Sequence, residues 1–94
     1  MDLVDLSPFP GGVLIRQGLD HLAQGLESEA ALLVLIGAPR LRRLGLNVRG
    51  CEGEPPEHRL YQLLSISDPD SAHSRYNALI RRLVSFERAV ECAG

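Results

Sequence analysis

Residues 68–93 read DPDSAHSRYNALIRRLVSFERAVECA, and this stretch decides the fold. Asp68 can accept hydrogen bonds from the free N–H groups that open a helix. Pro69 suits the first helical position because it has no N–H to leave unpaired. Asp70 adds negative charge in the first turn, where the helix dipole favours it. No glycine and no further proline follows until Gly94. Ala72, Tyr76, Leu79, Leu83, Phe86 and Val90 recur at alternating steps of four and three residues. That is the 3.5-residue stripe of a helix packed along a partner helix. Ile80 and Val84 widen it on one side. The pattern predicts a long C-terminal helical segment over residues 68–93, running unbroken from about Pro69 to Glu91 with the stripe buried.

The stretches before it break into shorter pieces. Pro56 to about Ser65 fits a helix whose apolar face is Leu60, Leu63 and Leu64. Residues 47–57, rich in glycine, proline and charge, read as a flexible loop. Pro39 opens a short helix that Gly45 ends, with Leu41 and Leu44 inward and Arg40, Arg42 and Arg43 toward water. Ala30 to Ile36 is apolar all round and therefore buried. Its period does not separate helix from strand: Ala30, Ala31 and three leucines, after Ser28 as a cap and Glu29 in the first turn, favour helix, while Val34 and Ile36 leave strand open. Val13 to Gln24 carries Ile15, Leu19, Leu22 and Leu26 at helical steps. Gly18 inside it either weakens the helix or permits a close helix contact, and Gly25 suits the stop. Residues 1–12 hold two prolines and a Gly-Gly pair and read as an extended arm. Its Leu3, Val4, Leu6 and Phe9 are expected to pack on the body or on a neighbouring subunit.

Ninety-four residues suit a single domain. A hydrophobic fraction of 45% excludes a disordered chain. Aromatic residues make up only 4% and tryptophan is absent, so leucine must fill the core, which suits helices better than sheets. The fold class expected is all-α, a small bundle of four or five helices with a long C-terminal one. The N-terminus is acidic and proline-broken, unlike a signal peptide. The run Ala30 to Ile36 is too short to span a bilayer. A soluble, cytoplasmic protein is the expectation.

Net charge is −2, but the charges are segregated. Residues 1–39 carry five acids and one arginine, residues 40–49 four arginines and no acid, and residues 50–57 three glutamates and no base. All ten basic residues are arginine. Arg40, Arg42, Arg43 and Arg49 are thus candidates for binding an anion or nucleic acid, beside the helix N-terminus at Pro39. No aromatic residue is interleaved for base stacking, and an acidic loop follows at once. The competing reading is a solvated face that pairs with Glu52, Glu54 or Glu57, and it is the favoured one. Cys51, between Gly50 and Gly53, reads as an ordinary loop thiol. Cys51, Cys92, His21, His58 and His73 lack metal-ligand spacing, so neither a metal nor a cofactor is expected.

Arg16 and His21 stand in an R-x4-H spacing. This resembles the R-x4–6-H signature of HEPN-type ribonucleases, small helical proteins that are often dimers. Gln17 stands where that family usually places a polar residue such as asparagine. The resemblance covers two residues and implies an arginine and a histidine meeting at a dimer interface to cut RNA. The competing reading is two solvated residues on the polar face of the first helix.

The terminal helix supplies the remaining argument. About 24 helical residues span roughly 36 Å, whereas a chain of this length folds to a diameter of roughly 32 Å. Part of the stripe therefore needs a partner, and a second copy is the simplest one. The function expected is a small non-enzymatic helical interaction module, a homodimer or an accessory subunit of a larger protein. Its interface would include Tyr76, Leu79, Leu83, Phe86 and Val90. The alternative is a nucleic-acid-binding or HEPN-like RNA-cleaving regulator.

Overall fold

The computed structural model describes residues 9–46, 48 and 55–93. Five helices follow one another: α1 (Gly12–Ala23), α2 (Glu29–Ile36), α3 (Ala38–Arg43), α4 (Pro56–Ser67) and α5 (Ala72–Ala93). Among the described residues there is no strand. The chain is an all-α bundle with a long C-terminal helix. No described helix is long and apolar enough to cross a membrane.

The centre is α2. Ser28 caps it, its side-chain oxygen accepting from the Ala31 N–H at 3.1 Å. All side chains from Ala30 to Leu35 are buried. The helix touches each of the other four, which is the only way an all-apolar helix can be placed in water. The short, apolar run that leaves helix and strand undecided in the sequence is thus the hub of the bundle.

Helix α1 lies closest to it. A Cβ on Gly18 would fall 2.4 Å from the Ala30 carbonyl oxygen and 2.5 Å from Val34 Cγ2, so the missing side chain is what allows the two backbones to approach. Beyond Ala23 the chain reverses at Gly25, whose φ of 75° is left-handed. The Leu26 N–H reaches the His21 carbonyl at 2.8 Å and the Gly25 N–H reaches Leu22 at 3.1 Å. This pair of bonds is a Schellman stop. Gly45 ends α3 the same way, through Leu46 to Leu41 and Gly45 to Arg42. Because the helix stops, Leu26 leaves the stripe expected of it and is half exposed.

Helix α5 differs from its expected start. Its first α-type bond runs from the Arg75 N–H to the Ser71 carbonyl, 2.9 Å. Asp68 to Ser71 instead closes a tight turn through the Ser71 N–H and the Asp68 carbonyl, 3.3 Å, and Ser71 Oγ donates to the Asp68 carboxylate at 2.5 Å. Asp68 therefore caps this turn, and the regular ladder begins three residues later, at the Ser71 carbonyl. The helix then runs unbroken through Ala93. Its 22 residues make about 33 Å, in a molecule 38 Å long.

Ala72, Leu83 and Phe86 of the stripe are buried against the core, while Tyr76, Leu79, Ile80 and Val90 are half-buried against it. Phe9 meets Phe86 edge to face, ring centres 6.0 Å apart, so this residue of the arm packs on the body as expected. Residues 1–8 of the arm, and 47 and 49–54 of the loop, lie outside the described residues. Helix α4 begins at Pro56 as expected, inside the end of the stretch read as a loop, and runs to Ser67.

Candidate functional site

Arg16 and His21 sit five residues apart on α1, about 140° around its axis at 100° per residue. They do not share a face. Arg16 pairs with Asp20 one turn on, Nε to Oδ1 3.4 Å. His21 points to the start of α2, where its Nδ1 lies 2.6 Å from Ser28 Oγ. The Ser28 oxygen also accepts from the Ala31 N–H, so this one hydroxyl links the imidazole to the first turn of α2. Within one chain the two residues have separate partners and separate tasks. His21 helps to fix the α1–α2 corner.

The arginine cluster is spread over three environments. The Arg40 guanidinium reaches Glu91 at 2.6 Å and Glu87 at 3.7 Å, both on α5. The hydrogen bond to Glu91 raises its pKa further and keeps it charged. Arg42 donates from Nε to the Val48 carbonyl at 2.9 Å, bracing the loop that leaves α3. Arg43 is exposed. Arg49 lies outside the described residues, as do Glu52, Glu54 and Cys51. Among the described residues the acids that meet Arg40 are those of α5, a contact that is purely tertiary.

Glu87 was not marked by any sequence motif. It is a buried charged residue, only 5% exposed. Burial pushes its carboxyl above the ordinary value. Arg40 pulls it back, Glu91 raises it again, and Arg43 opposes. One signal was present: Glu87 stands four residues after Leu83 and three before Val90, inside the apolar stripe. Two further cross-helix pairs tie the front of α2 down. Arg75 of α5 holds Glu29 at 3.1 Å, and Arg59 of α4 holds Glu27.

The remaining concentration of side chains is aromatic. Tyr61 of α4 lies 5.7 Å from Tyr76 and 6.5 Å from His73, both on α5, centre to centre. Tyr61 is 40% exposed. Burial, and then the nearby Glu57 carboxylate, push the Tyr76 phenol upward. Leu79 and Ile80 continue this face along α5. Of the five residues expected at an interface, Leu83 and Phe86 are instead consumed by the chain's own core, at 4% and 0% exposure. Tyr76, Leu79 and Val90 retain surface.

Among the described residues no group of three or more histidine, cysteine, aspartate or glutamate side chains is placed to hold a metal ion. Comparison of the chain with protein-family models, with curated proteins and with solved structures finds no match.

Proposed function

We propose that this chain is a non-enzymatic helical interaction module, acting as a homodimer or as an accessory subunit of a larger protein. One observation carries the reading. On a helix nearly as long as the molecule, the apolar stripe is closed over at Ala72 and around Leu83 and Phe86, but not between them. The turns holding Tyr76, Leu79 and Ile80 keep partly exposed apolar surface, extended sideways by Tyr61. Aromatic and aliphatic surface of this kind is what interface cores are made from. The divergence of Arg16 and His21 supports the same reading over RNA cleavage, because each is engaged locally.

Sedimentation equilibrium at tens of micromolar tests the homodimer. The expected mass is twice the chain's 10.3 kDa. Leu79→Glu, at a half-exposed position, should return the single-chain mass with helicity intact, because it sets an unpaired charge in the seam. A wild-type mass of 10.3 kDa overturns the homodimer. Titration with RNA is expected to show no specific binding. A submicromolar, salt-sensitive titration abolished by a triple Arg40/Arg42/Arg43→Ala change would replace this proposal with the nucleic-acid one.

A further inference from the structure

Helices α4 and α5 are joined by the short turn at residues 68–71, so the chain folds back on itself and Tyr61 of α4 meets Tyr76 and His73 of α5. The Tyr61 ring is inclined by 57° to Tyr76 and by 61° to His73, and the residue stays 40% exposed, so part of its π surface is open to a partner. Glu57 stands one turn before Tyr61 on the same face of α4. It is exposed, its charge acts on the Tyr76 phenol, and among the described residues it forms no ion pair. An electron-rich ring with a carboxylate beside it is the chemistry that holds a guanidinium.

Guanidiniums of this kind stand further along α5. Arg81 and Arg88 are exposed, and among the described residues neither forms an ion pair. At 100° per residue, His73, Ile80, Arg81 and Arg88 fall within an arc of about 100° on α5. Their spacing is symmetric, His73 and Arg88 lying equally far from a point between Ile80 and Arg81.

We propose that a second copy docks antiparallel along this arc, the partner's Arg88 laid on the Tyr61 ring beside His73 and the partner's Arg81 paired with Glu57. This rests on the homodimer reading and names what the two copies recognise in each other. A two-fold axis between Ile80 and Arg81 makes each contact twice and closes the pair. The half-buried Ile80 is then covered by the apolar stem of the partner's Arg81.

Sedimentation equilibrium of the full chain gives the dissociation constant of the dimer. Arg88→Gln and Tyr61→Leu are each expected to raise it roughly tenfold, and the double variant no further, while Tyr61→Phe keeps the ring and leaves it unchanged. Glu57→Arg and Arg81→Glu should each weaken the dimer, and the two together should restore it. Arg81 and Arg88 are exposed, so their variants leave the fold intact, and circular dichroism checks this. A wild-type mass of one chain removes the homodimer reading and this proposal with it. A dimer indifferent to Arg81→Glu and Arg88→Gln, or one that the Glu57–Arg81 exchange fails to restore, overturns the contact and leaves the homodimer standing.

Discussion

At the scale of single residues, Gly18 gives the sharpest test. In an exposed helix, replacing glycine by alanine stabilises by about 1 kcal/mol. Here the added Cβ would strike backbone, 2.4 Å from the Ala30 carbonyl oxygen. Backbone cannot swing aside, so Gly18→Ala should destabilise by about 1–3 kcal/mol as overpacking does. A urea melt settles the sign, and a stabilised variant would remove the close α1–α2 contact from the account. Ser28→Ala should cost about 1 kcal/mol, because the Ala31 N–H loses its partner. Glu87 supplies the pH dependence. Its folded-state pKa is raised, so the folded chain holds that proton more tightly than the unfolded chain does. Glu87's contribution therefore falls as pH rises from the ordinary glutamate range through the raised value, and is level above it. Melts of Glu87→Gln against wild type at several pH values should show a difference that grows across that window and then stays constant. Asp68 runs the other way. The Ser71 hydroxyl, with backbone N–H groups behind it, lowers its pKa, so its contribution is present above the ordinary carboxylate range and fades in stronger acid.

At the scale of elements, Ala72 and the middle of α5 belong to the core, while the turns holding Tyr76, Leu79 and Ile80 keep apolar surface. Leu83→Ala should cost about 2–5 kcal/mol, since it opens a cavity beside α2 and Gly37. A loss below about 0.5 kcal/mol, the range of surface sites, would contradict its burial. Phe86, fully buried against Phe9, is no place to split a dimer: a charge there would unfold the chain. Leu79 is the informative position, because it carries apolar surface without closing the core. The shortest element is α3, and Arg40 ties it across to α5.

At the scale of the molecule, α2 is a buried axle and α5 a beam along the full length. Among the described residues, ion pairs join separate parts of the fold at three places: Arg59 to Glu27, Arg75 to Glu29, and Arg40 to Glu87 and Glu91. The segregated charges of the sequence thus recombine, Glu27 and Glu29 at the start of α2 with arginines of α4 and α5, and Arg40 of α3 with acids of α5. If a second copy seats on the Tyr61–Tyr76–Leu79 face, thermal stability should rise with protein concentration over micromolar ranges. Stability independent of concentration would mean that this face is solvent-covered in the free protein.

The helices and their ends were legible in the sequence because they are local. Capping residues, Schellman glycines and a 3.5-residue period act over a few positions, and Ser28, Gly25, Gly45 and the 72–90 stripe each did so. The burial of the 30–36 run was legible too, since a segment without a polar face has only one place to go. Tertiary structure alone decided what that run touches, which turns of α5 remain open, and which acid Arg40 meets. It also decided that Glu87 is buried. Each of these depends on how helices distant in the chain are set against one another, and residue spacing within one helix carries no record of the surface it will face.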